Sequence, residues 1–191
     1  ISYRLVGSEM CIRDRERGTK IKIFLKEDAK EFCGEFRLEN IIKRYSNYLP
    51  FEVKIKDKVL NQVKALWTQS KNDLSDDDYK SFYKQFCHDH EDPQHHLHFS
   101  IDAPIQYHAL IYFPKTINNE VLYARESHGV ALYAQKVLIQ QDNENLLPPY
   151  LRFVKGLIDS EDLPLNVSRE NVQKNVLIER IKKSLTSRIL K

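Results

Sequence analysis

Asp162–Asn171 reads DLPLNVSREN. Asp162 and Pro164 make an acidic, proline-stiffened loop, and Ser168-Arg169-Glu170 opens a helix. Proline fixes φ, so the loop meets the helix along a narrow range of paths. The outcome is a guanidinium, Arg169, at a helix N-terminus. Free backbone N–H groups at such a terminus favour phosphate and other anions. The guanidinium is always protonated and offers several donors in one plane.

Downstream of the loop, Val172, Val176, Ile181, Leu185 and Ile189 are expected to face inward on one long helix. That helix has no stop signal before Lys191, so the chain is expected to be cut inside it or just after it, with apolar faces left uncovered and marginal stability. Upstream, Pro148-Pro149 is expected to open a short helix running through Leu157. Before that comes one further strand over Val130–Ile139, reached by a polar loop at Asn118-Asn119. Residues 105–113 (IQYHALIYF) predict a strand buried on both faces, and Leu97, Phe99 and Ile101 alternate as another. Tyr79, Phe82, Tyr83 and Phe86 stand at i, i+3, i+4 and i+7, with Ser75 as N-cap and Asp78 completing a weak capping box.

The first part of the chain reads as a strand–helix–strand unit. Ile21, Ile23 and Leu25 share one side of an extended KIKIFL segment. Leu38, Ile41, Ile42 and Tyr45 follow at helical spacing, Pro50 ends that helix, and Phe51, Val53 and Ile55 alternate. Residues 57–64 form a polar joint, after which the pattern restarts. Residues 1–15 (ISYRLVGSEMCIRDR) have no periodicity, and Leu5–Asp14 can be read codon by codon off a sequencing-library adapter. They are expected to be an adapter-like artefact or a disordered native linker and are kept out of fold reasoning.

Composition excludes several classes. Of 191 residues, 41% are hydrophobic and 30% charged, which allows an ordinary globular core. The net charge of +3, with interleaved signs, gives no nucleic-acid footprint. No apolar run reaches the ~18 residues of a membrane span. Cys11, Cys33 and Cys87 have neither metal nor redox spacing, which fits a reducing cytoplasm. His88, His90, His95, His96 and His98 cluster, but they straddle a helix end, a proline turn and a strand start. A solvated loop is the expectation, with no metal site.

Several strings, in order, carry a resemblance: ALWT at Ala65–Thr68, YLRFVKGLIDS at Tyr150–Ser160, and the loop at Asp162–Glu170. Together they resemble the ninety-kilodalton heat-shock chaperone family, best matched by its bacterial branch, over about Gly18–Lys191. The resemblance implies an α/β (α+β) chain straddling two domains. Residues 16–57 would be the strand–helix–strand tail of a GHKL-type ATPase domain. Residues 58–191 would be the truncated first part of a ribosomal protein S5 domain 2-like middle domain. It further implies an ATP-driven, cytoplasmic stress-response chaperone that binds unfolded or partly folded clients. Such a parent uses ATP and Mg2+ and forms a homodimer through a C-terminal domain beyond this chain, with no nucleic-acid or membrane partner.

By the same resemblance, Arg169 crosses to the ATP γ-phosphate, and Gln173, one turn on, joins its network. Asn166 ties the loop backbone through its amide. Thr19, after Gly18, matches the last nucleotide-pocket motif, with its hydroxyl in a water network near the adenine. Trp67 is linked to the surface where clients and closure are sensed. Leu138 stands where many relatives carry a phenylalanine near the loop. The residues by themselves leave plainer readings open: Arg169 paired with Glu161 or Asp162, Gln173 as an exposed helical side chain, Asn166 as turn chemistry, Gly18-Thr19 as a strand entry, and Trp67 as a half-buried anchor. The chain carries no glutamate general base, metal-binding asparagine or glycine-rich lid, so alone it is expected to need no cofactor and to hydrolyse nothing. The rival readings are the transducer domain of a gyrase or mismatch-repair type ATPase, which would use a lysine in a short loop, and a non-catalytic protein-binding module.

Overall fold

The computed structural model describes residues 18–117, 129–163 and 176–191. A five-stranded mixed sheet forms its centre. The strands are β3 (His95–Ile101), β4 (Tyr107–Phe113), β5 (Val130–Ala134), β6 (Val137–Asn143) and β7 (Lys155–Ser160), and their spatial order is β3-β4-β7-β5-β6. A two-stranded hairpin, β1 (Lys54–Ile55) and β2 (Lys58–Val59), precedes it. Helices α1 (Glu35–Tyr45), α2 (Asp76–Cys87) and α3 (Val176–Ile189) are the α-helices among the described residues, and short 3-10 turns join the elements. The arrangement is mixed α and β, with apolar layers on both sheet faces.

The strand in the middle, β7, runs antiparallel to β4 and parallel to β5. Side chains alternate across a strand, so Leu157 and Ile158 point to opposite layers. Ile158 joins Ala109, Ile111, Leu132 and the α3 residues Ile178, Ile181 and Leu185. Leu157 joins Leu110, Tyr112 and Tyr133 beneath Trp67 and the α2 residues Tyr79, Phe82 and Tyr83. Each fully buried side chain of this size contributes about 1.5–3 kcal/mol. Ion pairs such as Lys54–Glu52 at 2.7 Å and Lys84–Asp92 at 2.8 Å join exposed groups worth about 0–1 kcal/mol each. The two apolar layers therefore hold the fold.

Helix α2 follows its sequence pattern closely. Asp78 N–H donates to Ser75 Oγ at 3.3 Å, and Ser75 N–H donates to Asp78 Oδ2 at 2.9 Å, which completes the capping box. Two-sided burial of β4 is also as the apolar run predicts. On α3 the inward set is Ile178, Ile181 and Leu185, with Ile189 partly covered, whereas Val176 is 64% exposed. Val172 lies outside the described residues.

Four expectations need correction. Residues 20–25 form no strand, and Ile21, Ile23 and Phe24 are exposed. A strand needs a ladder partner, and among the described residues none pairs with them. Of the alternating segment at 51–55, only Lys54–Ile55 enters a ladder. Val130–Ile139 is two strands of a hairpin, turning at Gln135 and Lys136 with φ of 50° and 67°. The usual sequence mark of such a turn, Asn-Gly or Asp-Gly, is missing. The helix expected through Leu157 is a single 3-10 turn at Pro149–Leu151 followed by strand β7.

The polar joint is well tied. Asn61 is 8% exposed, accepts from Val53 N–H at 2.7 Å, and donates to Leu49 O at 3.2 Å and Phe51 O at 2.9 Å. The division placed after residue 57 falls in the turn of the β1–β2 hairpin.

Two positions generate predictions. Gly156 has φ of +133°, and a Cβ there would lie 2.2 Å from Leu110 O, so Gly156→Ala strains the backbone against the central ladder. A loss of about 3 kcal/mol or more is expected in urea denaturation, against no change for Gly18→Ala, where nothing lies within 4 Å. The second is His98, a β3 residue buried against Trp67 and the α2 residue Tyr79. Its Nε2–H donates to Trp67 O at 3.0 Å and its Nδ1 accepts from Tyr79 Oη–H at 2.7 Å, the pattern of a neutral ring. Burial pulls its pKa below the ordinary range. A depressed folded pKa means that the unfolded chain binds the proton more readily. His98 thus contributes stability above about pH 6.5, and that contribution is lost as pH falls below it. Denaturation midpoints at pH 7 and pH 5.5 should differ, and His98→Gln, which can repeat both bonds without titrating, should reduce the difference, the remainder coming from groups such as His96, whose pKa burial also lowers.

Candidate functional site

The loop that carries Arg169 leaves the sheet from its central strand. Five consecutive residues at the exit of β7 are tied down. Asp159, 2% exposed, accepts from the Trp67 indole N–H at 2.9 Å and from Lys136 N–H at 3.1 Å. Ser160 O accepts from Gln135 N–H at 3.3 Å, and Ser160 Oγ–H donates to Gln106 O at 2.7 Å. Glu161 O accepts from Gln135 Nε2–H at 3.4 Å. Asp162 Oδ2 accepts from Gln106 N–H at 2.7 Å. Leu163 is buried in the α3-side core.

On the far side of the loop, α3 is held just as firmly. Ile178, Ile181 and Leu185 are buried, Tyr107 Oη–H donates to Ser184 Oγ at 2.9 Å, and the Arg188 guanidinium sits 5.5 Å from the Phe99 ring. Asn166, Arg169 and Gln173 themselves lie outside the described residues. Asp162 spends one carboxylate oxygen on the Gln106 amide, so the loop's first acidic group serves the mount.

The remaining sequence-predicted residues are scattered. Trp67 has no exposed surface. Its ring stands edge-on to Tyr48 at 4.6 Å and lies 5.3 Å from Tyr133, so in this conformation it is an anchor under α2. Leu138 packs in the same layer. Gly18 and Thr19 are exposed and form no cradle with other described residues. The histidines do not converge. His88 caps α2 in a left-handed conformation, His90 and His95 are exposed, His96 stacks on Tyr79 at 4.1 Å, and His98 is buried. Among the described residues no group of three or more His, Cys, Asp or Glu is placed to hold a metal ion. Cys87 is half-buried, and desolvation pushes its thiol up to about 12, which leaves it inert at neutral pH.

A cleft of about 1410 Å³ opens at the other end of β7, between α1 and the end of α2. Its rim mixes Lys43, Arg44 and Lys155 with Asp89, Glu91 and Asp142; of the residues singled out from the sequence, Leu138, His88 and His90 line it, whereas Gly18, Thr19 and Trp67 do not. Reading the sequence missed Asp159, Gln135 and Gln106 altogether. Asp159 alone left a signal: an acid inside the apolar strand run GLIDS is a buried carboxylate in need of partners.

The Hsp90 protein family model matches residues 52–191. Chaperone protein HtpG of Desulfotalea psychrophila is 47% identical over 176 residues, covering 92% of this chain and 28% of the relative. HtpG of Desulfitobacterium hafniense is 44% identical over 178 residues, 93% of this chain and 29% of the relative. HtpG of Wolinella succinogenes is 44% identical over 185 residues, 91% and 30% respectively. The chain spans less than a third of the length of these curated relatives. Their names favour the chaperone reading over the transducer rival. Among the described residues no helix is long and apolar enough to cross a membrane. With its family match running through the clamped exit of β7 and the loop beyond it, the chain belongs to the Hsp90 family.

Proposed function

We propose that the chain is the portion of an ATP-dependent molecular chaperone that delivers Arg169 to the γ-phosphate of ATP. One observation carries this reading: the loop at Asp162–Asn171 springs from a β7 exit in which five consecutive residues are anchored. Precise placement matters because a guanidinium stabilises a phosphoryl group only when its donors meet the oxygens. A misplacement of about 1 Å can cost ~100-fold in rate. The family match and the HtpG relatives support the same reading.

In this reading each residue has a defined task. Arg169 supplies positive charge to the transferred phosphoryl group, Gln173 extends its hydrogen-bond network, and Asn166 braces the loop backbone. The nucleotide, with its Mg2+, is substrate held mainly by a GHKL-type ATPase domain, of which residues 16–57 are the tail. In such a pocket Thr19, after Gly18, lends its hydroxyl to a water network near the adenine. Residues 58–191 are the middle-domain portion, with the ribosomal protein S5 domain 2-like arrangement. The whole protein acts on unfolded or partly folded clients in the cytoplasm, as a homodimer joined through a C-terminal domain.

The test uses a full-length HtpG in which this chain's residues 18–191 replace the corresponding segment. Arg169→Ala should lower steady-state ATP turnover by up to ~10³-fold, the range of an arginine finger, with the melting temperature unchanged. Turnover equal to the unmutated chimera would remove Arg169 from the mechanism.

A further inference from the structure

We propose that Asp159 is the positioning residue of the Arg169 loop, and the proposal rests on the role given to Arg169 above. Asp159 touches no nucleotide in this scheme. It acts by joining three stretches of chain that the sequence keeps far apart. Trp67 lies 92 residues upstream and donates its indole N–H to Oδ2 at 2.9 Å. Lys136, in the β5–β6 turn, donates its backbone N–H to Oδ1 at 3.1 Å. Asp159 itself belongs to the central strand, paired with His108 on one side and Tyr133 on the other.

A carboxylate is a demanding choice at this place. It is 2% exposed, and burying such a group is costly unless its oxygens are hydrogen-bonded. An apolar side chain of similar size would serve packing alone at least as well. The carboxylate adds direction, because its two oxygens each take one N–H along a fixed line. The partners are themselves immobilised. Trp67 is wedged between Tyr48 and Tyr133, and its carbonyl is held by His98. Lys136 and Gln135 both hold positive φ, a conformation that costs non-glycine residues energy and needs outside support. The same turn then bonds the next two residues of the exit, Ser160 O and Glu161 O, through Gln135. Removing the Asp159 carboxylate frees the turn, and the freed turn releases the backbone from which the loop departs.

The experiment uses the same full-length chimera and measures kcat and KM for ATP alongside the urea midpoint, at a temperature where every variant is folded. Asp159→Asn keeps the shape but turns an N–H2 toward one of the two donors. Trp67→Phe keeps an aromatic anchor and removes one donor. Each is expected to lower kcat by ~10- to 100-fold while KM stays within about two-fold, as for loss of alignment rather than of binding. Each change should also cost almost nothing further when added to Arg169→Ala, because a residue acting through Arg169 has nothing left to align. Unchanged kcat in both folded variants overturns the proposal, and so does a full-sized loss on top of Arg169→Ala. If Arg169→Ala itself leaves turnover intact, the arginine reading fails first and is told apart by that variant alone. Should Asp159→Asn fail to fold, Trp67→Phe decides the matter by the same two readouts.

Discussion

Burial of β7 on both faces is the constraint on which the other parts of this structure depend. One strand supplies Leu157 to the α2 layer and Ile158 to the α3 layer, so neither layer can form without it. Its position between β4 and β5 also dictates Gly156, where the backbone passes so close to Leu110 that no side chain fits. A strand packed on both faces in this way has little freedom to shift. Residues 159–163 at its exit inherit that support.

The clamp at the exit converts that stiffness into direction. Its bonds are individually modest, about 1 kcal/mol net for a neutral pair. They add little to stability beside the two apolar layers. Their worth is angular, since they reach Asp159, Ser160, Glu161 and Asp162 from the strands on both sides and from the Trp67 segment. The Trp67 indole, buried under α2, ties that segment to the exit of β7 through Asp159.

Local elements were legible where a single period dominates. Helix α2 could be read to its cap because Ser75, Asp78 and four aromatic residues stand at helical spacing, and β4 because its apolar run is unbroken. The β5–β6 turn was hidden because Gln-Lys is an unusual pair for two left-handed residues. Strand β7 was hidden because the prolines before it and the glycine within it imitate a helix start and a break. Residues 20–25 show the opposite failure. Their alternation is real, but a strand exists only with a neighbour to pair with, and pattern alone does not reveal one.

From the amino-acid order alone came the family and the helix that precedes the sheet, since each is written in contiguous residues. Tertiary structure alone decided that Trp67 lies inside, that His98 is a buried strut, and that Asp159 gathers two N–H groups at the mouth of the loop. The reason is distance along the chain. A hydrogen bond between residues 67 and 159 depends on how two faces of a sheet are filled, and no local periodicity encodes which buried donor will meet which buried acceptor.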